Sequence, residues 1–157
     1  MAEHSCNRPA MEVTVIQNPL ERLLGYQLRR ASAAMLADLA EALADIGLSV
    51  TEMSVLMQIE ANSDITQSEI GRILAIKRAN MAPMTASLLE RGLVAREAAD
   101  GRSQALRLTD EGRTACAEAG RRIAAHEAKF LSDLVGAERD ALIALLSRVW
   151  SGEQAKR

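Results

Sequence analysis

The stretch ITQSEIGRILAIKRANMAPMTASLLE, residues 65–90, reads as two short helices joined by a tight turn. Thr66 is a helix N-cap, and Glu69 three residues later completes a capping box. Ile65 before the cap and Ile70 after it are spaced as a hydrophobic staple that fixes how the chain enters the helix. Ile70, Ile73 and Leu74 then form one apolar face, and Ala75-Ile76 connects to Lys77. From Arg78 onward Met81, Met84 and Leu88 recur at helical spacing and are expected to face the core. The other side carries Arg78, Asn80, Ala82, Pro83 and Ser87, a small and polar face. Two short helices, a tight turn and a polar outer face on the second describe a helix-turn-helix.

The next stretch, RGLVAREAADGRSQALRLTDEG at residues 91–112, adds a hairpin. Leu93–Arg96 and Ala105–Leu108 alternate as short strands, with a strong turn signal at Asp100-Gly101 between them. Arg96, Arg102 and Arg107 place positive charge along it. Thr109 caps a further helix whose first turn holds Asp110 and Glu111, where acids complement the helix dipole. The fold class is therefore mainly α with a small β-hairpin wing: a winged helix-turn-helix plus a helical dimerisation region.

The chain is 48% apolar but only 2% aromatic, so aliphatic residues and methionine must build the core, which favours a mostly helical protein. The net charge of −2 does not by itself advertise a nucleic-acid partner, but the distribution does. Residues 69–108 hold seven bases against four acids, a net of +3, whereas residues 1–60 hold four bases against eight acids, a net of −4. Basic charge gathered on one segment is the electrostatic footprint of a nucleic-acid binder. No apolar run approaches the ~20 residues that span a bilayer, and the start of the chain is mixed and charged, unlike a signal peptide. Cys6 and Cys116 are too few and too far apart for a disulfide framework or a zinc site. A cytoplasmic setting without cofactor or metal is the expectation.

Residues 1–17 lack periodicity and read as a flexible arm; residues 18–157 read as a single domain. Asn18-Pro19 starts a helix, with Asn as cap and Pro at the first helical position, running to about Asp45 and ended by Gly47. Ser49 or Thr51 caps a second helix carrying Met53, Leu56, Met57 and Ile59. After the winged helix-turn-helix, about residues 48–109, Cys116, Ala119, Ile123, His126, Phe130 and Leu134 share a helical face from Asp110 to about Val135. Gly136 interrupts, and Leu142, Leu145, Leu146 and Val149 form a last stripe between Ala137 and Trp150. The end helices, about residues 18–46 and 110–152, carry more apolar surface than a winged helix can cover. A two-fold dimer is the economical solution, placing two recognition helices in successive major grooves about 34 Å apart over a pseudo-palindrome.

These elements resemble the MarR family of bacterial transcriptional regulators. The resemblance runs from about residue 20 to 150 and rests on LGYQLRRASAAMLADLAEAL, IGLSVTEMSVLMQI, ITQSEIGRILAIKRA, LLERGLVAREAADGRSQALRLTDEGR and the C-terminal helical pair. The Asp100-x-Arg102 wing tip followed by Leu-Thr-Asp-Glu-Gly is the most specific part. It implies a homodimeric repressor that leaves double-stranded DNA when a small molecule, often an aromatic acid, binds between the dimerisation helices and the DNA-binding lobe. It also implies that Arg102 enters the minor groove with Asp100 orienting its guanidinium. One departure stands out: Ala82-Pro83 occupies the place where members often carry a longer basic reader, and Pro83 should kink the helix.

On the recognition face, Arg78 suits a guanine edge, Asn80 an adenine edge, and Ala82 or Pro83 a thymine methyl, with Ser87 on the same face. Lys77, at the helix start, suits a phosphate, and Arg96 either a phosphate or a purely structural role covering apolar surface with its stem. For the effector, Arg22, Tyr26, Arg29 and Arg30 are candidates, because an arginine holds a carboxylate by two parallel hydrogen bonds. Met53 and Met57 are candidate wall residues or plain core, and His126 either touches effector or sits in the dimer interface. Such an effector would be an aromatic carboxylate or its coenzyme A thioester. No phosphate loop, zinc spacing or nucleophile–histidine pair marks an enzyme. Two alternatives stay open: a winged helix used for protein interaction without DNA specificity, and a repressor that senses oxidants through a cysteine.

Overall fold

The structure, a computed structural model, describes residues 17–98 and 104–154, and side chains as far as Trp150. The arm expected over residues 1–17, Cys6 within it, and the wing tip with Asp100, Gly101 and Arg102 lie outside the described residues, Gln17 excepted. A 3-10 turn at Pro19–Arg22 precedes α1 (Leu24–Ala44), α2 (Val50–Ala61), α3 (Gln67–Ile73) and α4 (Arg78–Glu90). Then come β1 (Val94–Ala98), β2 (Gln104–Leu108), α5 (Asp110–Phe130) and α6 (Gly136–Gln154). The chain divides into two compact units at Ala33/Ala34, inside α1.

In the first unit the expected helix from Asn18 is broken. Asn18 does cap, its side chain accepting the Leu20 N–H at 3.1 Å, but what it caps is the 3-10 turn. Leu23 is then extended (φ −87°, ψ 119°) and α1 begins after it. Two side-chain bonds hold the turn against the start of the helix: Asn18 Nδ2 donates to the Tyr26 hydroxyl (2.9 Å) and Gln27 Nε2 to the Glu21 carbonyl (2.7 Å).

In the second unit α1 ends as its sequence predicts. Gly47 (φ +64°) donates to the Ala44 carbonyl at 2.9 Å and Leu48 to that of Leu43 at 3.4 Å, the paired bonds of a Schellman motif. Ser49, not Thr51, caps α2, in a capping box with Glu52. Leu43, Val55, Leu56, Ile70 and Leu88 are fully buried, and burial of each such side chain contributes about 1.5–3 kcal/mol. They form one core with Leu39, Met53, Ile59, Met81, Val94 and Leu106.

The hairpin pairs Val94 with Leu108, Arg96 with Leu106 and Ala98 with Gln104. It also leans on the helices, because the Leu106 N–H donates to the Ile65 carbonyl at 2.9 Å and Ala105 bridges to Thr66. Thr109 caps α5 through the Gly112 N–H. That helix stops at Phe130, short of the Val135 expected from its stripe. There Arg139 donates to the Leu131 carbonyl (2.9 Å) and Glu138 accepts the Val135 N–H (2.9 Å), so Gly136 opens α6. Ile73, expected on the apolar face of the first motif helix, is instead 48% exposed near the end of the seven-residue α3. Phe130 lies at the edge, and Leu142, Leu145 and Val149 form an exposed stripe on α6 together with Ile143 and Trp150, the surplus apolar surface expected of the end helices.

Candidate nucleic-acid interface and effector residues

The turn between α3 and α4 is a second Schellman motif, closed by Ala75 N–H to Arg72 O (3.3 Å) and Ile76 N–H to Gly71 O (2.8 Å). Ala75 holds the left-handed position (φ +53°) that glycine usually occupies. Gly71 permits the tight crossing: a Cβ there would stand 3.1 Å from Met81 Cγ and 3.2 Å from the Ile76 carbonyl. Both halves of the Thr66–Glu69 capping box are formed, and the staple residues Ile65 and Ile70 are buried. The carboxylate of Glu69 is held below its ordinary pKa, first by the Thr66 N–H and hydroxyl and last by Arg72.

Helix α4 runs continuously through Pro83, which sits on its exposed side. A proline there has no N–H to give the Ala79 carbonyl, so the helix ladder lacks that one bond. Met81, Thr85 and Leu88 point inward and are buried; Lys77, Arg78, Asn80, Ala82 and Pro83 are exposed and Ser87 is half-buried. Unlike α2, α3 and α5, α4 has no side-chain cap; Lys77 occupies that position and makes no capping bond.

Charge pairing separates the basic residues into two groups. Arg91 pairs with Glu52, and Arg107 with Asp64 and Glu97. Arg107 therefore fastens β2 to β1 and to the α2–α3 loop, and the positive charge expected of it along the wing is neutralised. Arg72, Lys77, Arg78 and Arg96 form no ion pair among the described residues. Arg72 and Arg78 line a crevice of about 420 Å³ between α3 and α4 with Gln67, Ser68, Gly71, Ile76 and Met81. The sequence reading did not single out Gln67, Ser68 and Arg72, which the structure brings beside Arg78; the available signal was their place on the first helix of the motif, the one that crosses the backbone in helix-turn-helix complexes.

The effector candidates fall into separate groups. In the first unit Tyr26 is flanked by Arg29 and Arg30, whose guanidinium carbons stand 5.4 and 5.8 Å from its ring centre. Its hydroxyl accepts from Asn18 and, at 3.4 Å, from Arg30, and these two bonds, Asn18 first, lower the phenol pKa. Arg22 is exposed at the end of the 3-10 turn. In the second unit Met53 belongs to the core and Met57 is exposed.

His126 is buried, stacks on Phe130 at 5.6 Å, and lines a crevice of about 480 Å³ with Asp38, Glu41, Asp45, Arg122 and Lys129. Its Nε2 lies 3.2 Å from Asp38 Oδ2, but neither ring nitrogen has a partner at hydrogen-bonding angles. Cys116 is buried, and burial, with Glu60 adding to it, raises its pKa. That is the opposite of what a peroxide-sensing thiol needs.

A helix-turn-helix with exposed cations on its outer face, backed by an antiparallel hairpin, is the winged helix class of DNA-binding fold. Residues 46–103 match the model of the MarR family. The transcriptional repressor CouR, in its structure bound to p-coumaroyl-CoA, is 35% identical, with 86% of this chain and 96% of CouR covered and a TM-score of 0.76. CouR bound to a 23-mer DNA duplex aligns at 34% identity over 85% of this chain and 99% of that one, with a TM-score of 0.78. The HTH-type transcriptional repressor Rv2887 of Mycobacterium tuberculosis is 27% identical over 82% of this chain and 94% of its own length. Its structure in complex with salicylic acid superposes with a TM-score of 0.66 at 26% identity, covering 80% of this chain and 95% of that one. The chain belongs to the MarR family of transcriptional regulators.

Proposed function

We propose that this protein is a homodimeric repressor that holds a pseudo-palindromic operator and releases it on binding an aromatic carboxylate or its coenzyme A thioester. The observation that carries the DNA-binding half is the charge sorting in the winged helix. Among the described residues Arg72, Lys77, Arg78 and Arg96 form no ion pair, while Arg91 and Arg107 are neutralised. A cation left unpaired on an exposed face is free to displace counterions from a phosphate backbone. In this reading Arg78 takes a guanine edge and Asn80 an adenine edge, with Ala82 and Pro83 against thymine methyls. Lys77 and the uncapped N–H groups behind it hold a phosphate, Arg96 and Ser87 contact the backbone, and Arg102, oriented by Asp100, enters the minor groove.

The dimer half is supported by α6, whose Leu142, Ile143, Leu145, Val149 and Trp150 form an exposed apolar face of the kind a second copy covers. The effector half is supported by Arg29 and Arg30 beside Tyr26, two guanidiniums next to an aromatic face. Relatives fit both halves, since CouR is seen with p-coumaroyl-CoA and with duplex DNA, and Rv2887 with salicylic acid. Repression is relieved if the effector binds better to a dimer whose recognition helices no longer match the half-site spacing; a coupling of about 5–150-fold is usual. No enzymatic step enters this reading, and among the described residues no helix is long and apolar enough to cross a membrane.

The test is a fluorescence-anisotropy titration of the protein with DNA from upstream of its own gene, at fixed salt, against a scrambled duplex. It is repeated with salicylate, p-coumarate and p-coumaroyl-CoA. Sequence-preferring binding reversed by one of these compounds is the expected result. Preference that none of them reverses would refute the effector class and leave the DNA reading standing. No preference for upstream or other genomic fragments would overturn it in favour of a protein-interaction module.

A further inference from the structure

We propose that Arg91 is a positioning residue that clamps the recognition helix to the end of α1, and so fixes the separation at which two recognition helices meet DNA. The proposal rests on the DNA-binding reading above and adds to it a residue that touches no nucleic acid.

Arg91 is the C-cap of α4. The helix closes there by Gly92 (φ +69°) donating to Leu89 at 3.0 Å and Leu93 donating to Leu88 at 3.0 Å. This is the same Schellman pattern that ends α1 at Gly47. One guanidinium joins the two ends. Arg91 Nη2 donates to the Gly47 carbonyl at 2.7 Å, and Nη1 to Glu52 Oε1 at 2.9 Å, across 44 and 39 residues of sequence. The other oxygen of Glu52 accepts from the Ser49 N–H (2.9 Å) and hydroxyl (2.8 Å), so the carboxylate that caps α2 also anchors Arg91. The end of α1, the start of α2 and the end of α4 thus meet in one hydrogen-bonded group.

The group lies at the surface, with the Glu52 side chain 16% and that of Arg91 35% exposed. The second acceptor is a backbone carbonyl, so the link positions main chain directly. From α5, Arg122 donates to the Ala42 carbonyl at 2.8 Å and pairs with Glu118. Residues 42–47 are therefore gripped from α5 by one arginine and from α4 by another, so a displacement of this segment is passed to α4 through Arg91. A planar guanidinium can hold a carboxylate and a carbonyl in fixed directions at once, whereas a lysine ammonium is a point charge on a flexible stem.

The test uses the full chain and the variants Arg91→Ala, Arg91→Lys and Glu52→Gln, the last of which keeps a capping side chain. Hydrogen exchange followed by mass spectrometry reads the clamp without DNA. Arg91→Ala and Arg91→Lys should lose protection at residues 43–49 as well as at 87–93, and Glu52→Gln less so. Binding is then compared on two duplexes carrying the same half-sites at the native separation and with one base pair inserted. Wild type should prefer the native separation, and Arg91→Ala should reduce that preference by about two- to thirtyfold, the range for residues that modulate coupling between sites. Exchange changes confined to residues 87–93, or an unchanged spacing preference in variants that remain folded, would overturn the proposal. Failure of the DNA reading looks different: wild type itself would show no operator preference, and the exchange result would still decide whether the clamp exists.

Discussion

A methyl group at position 112 would collide with the backbone of residue 93: a Cβ on Gly112 would stand 1.9 Å from the Leu93 carbonyl oxygen. The close approach is built by Thr109, whose N–H donates to that carbonyl (3.2 Å) and whose hydroxyl donates to Gly92 (2.6 Å) while accepting the Gly112 N–H (2.9 Å). The start of α5 is thereby pressed onto the entry of β1. Gly112→Ala should destabilise the protein by at least about 2 kcal/mol, toward the upper end of overpacking effects, because backbone rather than a flexible side chain must move. Gly120→Ala is the control: its Cβ would meet nothing within 4 Å, and removing a helical glycine should stabilise by up to about 1 kcal/mol. Urea unfolding midpoints measure both, and a Gly112→Ala midpoint equal to wild type would contradict the packing described.

The recognition face should separate into two kinds of residue. Arg78→Ala should weaken operator binding by ~1–3 kcal/mol and relax the preference at one base position, as loss of a bidentate base contact does. Lys77→Ala should weaken all sequences alike and lower the slope of log affinity against log salt by about one. Anisotropy titrations at several salt concentrations distinguish them. An Arg78→Ala protein with wild-type specificity would remove Arg78 from base readout.

Acid sensitivity should report the α3 capping box. Bonds from Thr66 hold the Glu69 carboxyl below its ordinary value of 4.5. A group whose folded pKa is depressed stabilises the fold when ionised; that contribution is present above the unfolded pKa and is lost as pH falls through the lower folded value. Glu69→Gln should therefore cost stability at neutral pH, and its difference from wild type should shrink below pH 4.5. Thermal unfolding followed from pH 7 to pH 3 would show it; a difference independent of pH would mean that the carboxylate charge contributes nothing.

Cys116 should be unreactive. Burial raises its pKa and Glu60 adds to the rise, so little thiolate forms and little of it is reachable. In a Cys6→Ser background, native protein should react with a disulfide reagent far more slowly than the same protein in denaturant. Peroxide should leave DNA binding unchanged. Fast native labelling would restore the oxidant-sensing alternative for this residue.

The helix-turn-helix was legible because its signals are local. Thr66 and Glu69 close a ring three residues apart, Ile65 and Ile70 are both buried at staple spacing, and Met81 and Leu88 repeat on one face. Helix ends set by distant partners were harder to read. Nothing near Leu23 signals the break after the 3-10 turn, which is held by Asn18 and Gln27 side chains, and Arg139 and Glu138 fix the end of α5 from the next helix.

The sequence by itself determined the order of the helices and strands, the Thr66 and Thr109 caps and which face of α4 is polar, because each depends on residues within about one or two helical turns of one another. It also determined that positive charge gathers in the winged helix. Only the tertiary structure decided which of those charges are free. Arg78 and Arg107 are the same residue type in the same basic segment, yet Arg107 is neutralised by Asp64, forty-three residues away, and by Glu97 across the hairpin, while Arg78 has no ion pair among the described residues. Ion pairing needs an approach within about 4 Å, and chain folding rather than spacing along the chain brings such partners together.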